Sequence, residues 1–133
     1  MQDLKEIELS PPTRFAAVDW RTVPDAPGVY VILDHDEILY VGMGGRNGRG
    51  SVRNRLRDHG TGQIVNMFAQ YLFLARVQFI SADRIAHPRD AKAACRKYIG
   101  DRCSFQYKET PDAAAARELE RMLKQRLRPL LNP

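Results

Sequence analysis

The sequence predicts an α+β fold, a small three- to four-stranded antiparallel sheet flanked by helices. Two short β-branched runs, Val29 to Leu33 and Ile38 to Val41, stand on either side of the polar break Asp34 to Glu37, which is the pattern of a hairpin. A third run, Ser104 to Lys108, reads as another short strand, and helix start and stop signals punctuate the segments around it. At 133 residues with 44% apolar side chains, the chain reads as one domain able to bury a core without staples.

Residues 1 to 23 form an N-terminal lead. Pro11, Pro12, Pro24 and Pro27 forbid a long helix through residue 27, so the lead is expected to be mostly extended. Phe15, Val18 and Trp20 are its expected anchors, since large apolar side chains in a polar arm find a surface to cover. In the hairpin, loop length decides which face each tyrosine takes. A two-residue loop, His35 and Asp36, sets Val31 opposite Tyr40; a three-residue loop, 35 to 37, pairs Ile32 with Tyr40. Tyr30 and Tyr40 therefore share a face only with an odd-length loop, or with a bulge between Asp34 and Ile38.

After Val41 come Gly42, Gly44, Gly45, Gly48 and Gly50, interleaved with Arg46 and Arg49. Such a loop lets backbone approach a ligand closely, or serves as a flexible connector. It lacks the lysine and following serine or threonine of a phosphate-binding loop, which argues against a nucleoside triphosphate. Ser51 is a fair N-cap for a helix from about Val52 to His59, with Gly60 at its C′ position. Val52 and Leu56 face inward, Arg55 and His59 lie one turn apart beside them, and Arg53 and Arg57 share a neighbouring face. Arg55 is expected to be the half-buried arginine. His59 has two readings, a cation favoured by the helix dipole or a member of a site.

Residues 62 to 80 are apolar-rich. Ile64, Val65, Phe68, Tyr71 and Leu72 have helical spacing to about Tyr71, and the alternation through Val77 and Phe79 predicts a strand after it. Pro88 opens a helix to about Tyr98, stopped by Gly100. The last helix starts near Pro111 and Asp112 and runs to about Arg128. Its wheel gathers Ala115, Ala116, Leu119, Met122, Leu123, Leu127 and Leu130 into one apolar arc, with Arg117, Arg121, Lys124 and Arg128 opposite. Glu120 falls at the edge of that arc. A carboxylate there needs a reason, either a salt bridge with Arg55 or Arg117 or a metal ion.

The formal charge is +5, with a sequence pI near 9.5, and the excess is largely arginine, which suits bidentate contact with phosphate. A polyanionic partner is compatible with this balance. Cys95 and Cys103 have no second pair, and His87 does not complete zinc-ligand spacing, so both read as reduced, buried thiols. Residues 1 to 10 have neither a signal-peptide core nor a membrane span, which points to a cytoplasmic protein and no membrane partner.

Taken in order, these pieces resemble the GIY-YIG nuclease domain. The signature triplets stand here as Gly28-Val29-Tyr30 and Tyr40-Val41-Gly42, and Val23-Pro24-Asp25-Ala26-Pro27 is similar to the lead of the excision-repair branch. Arg55 followed by His59, and Glu120 followed by Leu123, Pro129 and Asn132, match the family's two later motifs, so the resemblance spans Pro24 to Asn132. Two departures stand out: a longer glycine-arginine loop, and an insertion over residues 63 to 100 of a kind that restriction-type members also carry. No zinc finger or tandem helical DNA-reading module is recognisable.

The resemblance implies a metal-dependent endonuclease that hydrolyses phosphodiester bonds in DNA, with double-stranded DNA as its partner and Mg2+ (or Mn2+) held by Glu120. It implies Tyr30, Tyr40, Arg55, His59 and Glu120 as the catalytic set, with Tyr30 the favoured base and Tyr40 or His59 supporting or sharing that role. A phenol of reference pKa ~10 is a poor base at neutral pH, and an imidazole near ~6.5 is an easier one. Arg46, Arg49, Arg53 and Arg57 would contact flanking phosphates. Asn132 would orient the glutamate helix or its metal waters, contact the nucleic acid, or simply pack. The alternative is a nucleic-acid-binding module that keeps the fold without cutting. A homodimer or a larger protein partner would supply specificity, with Ile64 to Tyr98 the candidate dimer surface.

Overall fold

The computed structural model describes residues 7–46, 48–63, 66–80 and 85–132. Four strands, β1 (Thr13–Arg14), β2 (Gly28–Asp34), β3 (Glu37–Gly44) and β4 (Cys103–Glu109), form one antiparallel sheet in the order β1-β4-β2-β3. The helices are α1 (Val52–Gly60), α2 (Met67–Leu72), α3 (Gln78–Ile80), α4 (Pro88–Arg102) and α5 (Ala113–Leu127), with a π-type segment, Phe73–Val77, joining α2 to α3. The expected α+β class is what the chain adopts.

The sheet separates two cores. One face carries Tyr30, Ile32, Phe105 and Tyr107 under α1, α2, α4 and the lead; the other carries Val29, Val31 and Val41 under Leu119, Leu123 and Leu127 of α5. The lead docks as expected. Trp20 stacks on Phe105 with ring centroids 5.7 Å apart, and Phe15 meets the same ring edge-on at 4.9 Å. Thr13 and Arg14 add the short β1, which no alternation in the sequence announces.

The hairpin combines the expected two-residue loop with the register expected of the three-residue one. Asp34 pairs with Glu37 across a two-residue turn, and His35 takes a positive φ of 54° there. The register then shifts between Ile32 and Leu33, where Leu39 is extra, so Ile32 pairs with Tyr40. The bulge, rather than an odd loop, brings Tyr30 and Tyr40 to one face, and it lies one residue beyond the Asp34 to Ile38 interval. Leu39 is wholly buried, which holds the bulge in place.

Three other boundaries are corrected. The strand expected after Tyr71 is helical through Ile80, because Phe68, Leu72 and Val77 are the buried positions and Leu74 and Phe79 point outward. Ile64 and Val65 lie outside the described residues. Helix α1 includes Gly60, and the left-handed glycine is Gly62 (φ 74°), whose N–H donates to the His59 carbonyl. Helix α4 passes Gly100 and ends at Arg102, where β4 begins. Helix α5 matches its expected span, N-capped by Asp112 and closed by Arg128 in the left-handed region.

At the hairpin's turn, the buried carboxylate of Asp34 ties the sheet to α4. It accepts from the Tyr98 hydroxyl and from Arg102 Nε at 3.2 Å, with Arg76 Nη1 3.7 Å away. Burial, followed by the bond to Asp34, pushes the Tyr98 phenol up to about 12. The arginines reach solvent and count for little. Asp34→Ala therefore costs chiefly the orphaned Tyr98 hydroxyl, about 1 to 3 kcal/mol, and Asp34→Ala with Tyr98→Phe should recover much of it in urea melts.

Candidate active site

Glycines open the space for the site. A Cβ on Gly42 would lie 2.5 Å from Tyr30 Cζ, so the Tyr30 ring crosses β3 only because Gly42 has no side chain. A Cβ on Gly28 would meet the Lys108 carbonyl and Val52 Cγ2 (2.9 Å), so α1 sits this close to β2 only over a glycine. The outer glycines of the two triplets thus have packing reasons independent of any chemistry.

Helix α1 is fixed at its N-terminus by the lead. Val52 N–H donates to the Ala26 carbonyl at 3.1 Å, Arg53 N–H to the Pro24 carbonyl at 3.1 Å, and Asn54 N–H to Ser51 Oγ at 3.2 Å. Asp25 Oδ1 accepts from Gly48 N–H at 2.9 Å. The glycine-arginine loop is therefore pinned rather than a free connector, and the orphan N–H groups of the helix are spent on protein.

Val52, Leu56 and His59 form the buried stripe of α1. His59 is 7% exposed, and its Nε2 lies 2.7 Å from the Tyr30 hydroxyl. Its Nδ1 lies 3.4 Å from Asn66 Oδ1, which also accepts from Ala69 N–H at 2.8 Å. That second bond identifies the Asn66 oxygen as an acceptor, so the proton of His59 belongs on Nδ1 and Nε2 accepts from Tyr30. Phe68 and Tyr40 pack edge-on against the imidazole, with centroids 5.3 and 5.6 Å away.

The electrostatics follow from this burial. Desolvation lowers His59 to about 4, outweighing the bond to Asn66, and the nearby Arg55 charge lowers it further. Of the two readings for His59, the exposed cation is excluded. Tyr30 is 1% exposed, and burial pushes its phenol well up, with Tyr40 and the Glu120 charge raising it and Arg55 opposing. Tyr40 is raised for the same reasons, burial first, then Glu120 against Arg55, and a smaller push from Tyr71. Arg55 and Glu120 thus both act on the two phenols, from opposite signs.

Glu120 sits half-buried at the margin of the α5 apolar arc. Its ion-pair partner among the described residues is Lys124, with Nζ 3.6 Å from Oε1, rather than Arg55 or Arg117. Lys124 is one turn along the same helix, an i,i+4 partner. Arg55 is exposed and Arg53 is the half-buried one, reversing expectation. Arg53 Nε donates to the Val23 carbonyl at 2.7 Å, a bond that fastens the lead instead of reaching outward.

Arg46, Arg49 and Arg57 are exposed, and none pairs with a carboxylate among the described residues. Arg46 lies across Gly50, and Arg57 stands 5.8 Å over the Trp20 ring. Asn132 packs. Its Oδ1 accepts from Val41 N–H at 2.8 Å and its Nδ2 donates to the Val41 carbonyl at 2.9 Å, so both ends of the amide are used on β3. Residues that sequence reasoning missed are Asn66, Phe68 as the wall beside the imidazole, and Tyr71. Asn66 does carry a legible signal, an N-cap two residues ahead of the Phe68 and Ala69 pair it starts.

Cys95 and Cys103 are free and buried, and burial pushes their thiols up to about 11 and about 12, as expected of inert core cysteines. No helix among the described residues is long and apolar enough to cross a membrane. No protein-family model matches the chain, and no curated protein matches it significantly.

Two outcomes test this geometry. Gly42→Ala forces the buried Tyr30 ring to shift, with about 1 to 3 kcal/mol lost to overpacking; loss of the downfield imidazole N–H pattern of His59 by NMR would accompany the lower melting point. His59 makes stability sensitive to acid. The unfolded imidazole takes up its proton near ~6.5 and the folded one near 4, so the unfolded state binds more protons in between. Stability should fall by about 3 kcal/mol as pH drops through that window and level off below it. Urea melts of His59→Gln should lack this component.

Proposed function

We propose that the protein is a metal-dependent endonuclease that hydrolyses phosphodiester bonds in DNA. The observation that carries this reading is convergence. Tyr30 of β2, Tyr40 of β3 and His59 of α1 pack together, and the charges of Arg55 on α1 and Glu120 on α5 both act on the two phenols, so four elements meet here.

The donor chemistry fits one kind of metal. Among the described residues no three His, Cys, Asp or Glu side chains gather as a cage. Glu120 offers a single half-buried carboxylate with one long ion pair, which suits Mg2+ or Mn2+ shared with substrate phosphate and water. Such an ion supplies Lewis acidity and a more acidic bound water.

The protein's own groups do the rest. Arg55 is an exposed cation beside the phenols, placed to neutralise charge developing on the attacked phosphate. Tyr30 and His59 both rest neutral. The Tyr30 oxygen takes a proton from the attacking water as its own proton passes to His59 Nε2, so no free phenolate forms and the charge ends on an imidazolium whose Nδ1–H faces Asn66. Tyr40, half-buried at the rim, is the second hydroxyl within reach. Arg46, Arg49 and Arg57 hold flanking phosphates of double-stranded DNA; Arg53 and Asn132, committed to backbone, do not. Sequence-specific double-strand cutting by so small a chain takes a second copy or a protein partner, for which exposed Leu74, Phe79 and Ile80 offer apolar surface.

The test uses supercoiled plasmid with Mg2+ or Mn2+. Arg55→Ala should lower the nicking rate about 100- to 1,000-fold, on the scale of a lost oxyanion donor. Glu120→Ala and chelator should abolish nicking. Nicking that survives both substitutions sinks the proposal, and salt-sensitive binding without any cleavage favours a non-cleaving nucleic-acid-binding module.

A further inference from the structure

Away from the candidate active site, the exposed side of α4 forms a concave groove with the Phe15–Ala17 turn. Its lining includes Ala16, Arg89, Lys92, Arg96, Lys97 and Asp101, around about 550 Å³ of open space. Arg89, Lys92, Arg96 and Lys97 fall on one side of the helix at spacings of three, four and one residues. None of the four pairs with a carboxylate among the described residues. One acid, Asp101, faces them, and Arg14 Nη2 closes that end by donating to the Asp101 carbonyl at 2.7 Å.

We infer that this face of α4 is a second phosphate-contacting surface, which grips the backbone of duplex DNA beyond the cleavage site. The inference rests on the nucleic-acid reading above and names the surface that reading lacks. From Arg89 to Lys97 the helix rises about 12 Å, three to four times the ~3.4 Å of axis per phosphate of one strand. Four cations, none paired with a carboxylate among the described residues, thus span a length over which one DNA strand presents three to four phosphates.

The lining selects among polyanions. Its uncharged members are Ala16, Ala93 and Gly100, so it holds no aromatic ring on which an unpaired base stacks. It also lacks the large apolar side chains that would enter a lipid interface. The groove is joined to the candidate active site through α1: Gly62, just past its end, packs on α4 so closely that a Cβ would lie 2.6 Å from Arg96 N. Trp20 under Arg57 and Phe15 beside Gly60 continue the same surface from α1 to the turn.

The test measures binding of a blunt 30-base-pair duplex, a length of about 100 Å at ~3.4 Å per pair, by the Glu120→Ala protein over a range of salt. Replacing Arg89, Lys92, Arg96 and Lys97 by Gln should flatten the log-log salt slope by about 3.6 and weaken binding of unrelated sequences alike. The milder pair Arg96→Gln and Lys97→Gln, both exposed positions, should give about half of that and serves if the fourfold variant melts early. Replacing Arg117 and Arg128 by Gln on the far side of the sheet is the control.

Unchanged slopes in the α4 variants while the parent binds and the wild type nicks plasmid would overturn the α4 surface and leave the nuclease reading standing. Equal losses in the α5 control would overturn it as well, reducing the effect to net charge. Flattened slopes with no nicking by the wild type would uphold the α4 surface and remove the nuclease reading. A parent that binds no duplex at any salt overturns both.

Discussion

The hydrogen bond between the Tyr30 hydroxyl and His59 Nε2 is the constraint around which the molecule is arranged. Both groups are buried, so each would cost heavily if left unpaired. Meeting at 2.7 Å requires α1 to lie close on β2, which Gly28 permits, and the Tyr30 ring to cross β3, which Gly42 permits. The β3 bulge adds Tyr40 to the same face, and Asn66 fixes the imidazole from its far side. One polar pair thus ties together two strands, α1 and the start of α2.

This pair also sets the charge distribution of the site. Its centre is neutral at physiological pH, because burial drives the phenols up and the imidazole down together. The charges stand at the rim, Arg55 on α1 and Glu120 on α5. A neutral relay with charged edges avoids the cost of an unpaired buried ion while keeping an acceptor and a donor within one hydrogen bond of each other. It also makes the fold sensitive at both ends of the pH scale, to acid through the lowered imidazole and to strong base through the raised phenols.

Much of this was legible in the chain. The apolar, β-branched runs of 29 to 33 and 38 to 41, the Ser51 and Asp112 caps and the α5 arc are local signals, and local signals set those elements. The five catalytic candidates were readable only as an ordered resemblance, since nothing in their spacing relates Glu120 to Tyr30. What stayed hidden was tertiary. The bulge depends on Leu39 finding a core position, the helical path past Tyr71 depends on Phe68, Leu72 and Val77 facing the same core, and the exchange of Arg53 for Arg55 depends on a carbonyl thirty residues away at Val23. Periodicity alone cannot weigh such partners, which is why the 73 to 80 alternation misled.

Glu120 poses the sharpest geometric demand, because α5 packs on the sheet face opposite Tyr30. Its carboxylate acts on the phenols only if α5 is held in register against the edge of β3. The residues after α5 provide that hold. Leu130 and Leu131 N–H groups donate to the Ile38 and Leu39 carbonyls at 3.2 and 2.7 Å, and the Asn132 amide closes on both backbone groups of Val41. The segment covers an edge that would otherwise expose unpaired strand groups, and it ties α5 to the residues flanking Tyr40. Asn132 is therefore a positioning residue for the proposed site: both ends of its amide are spent on Val41, and the place of Glu120 depends on the strand edge it completes.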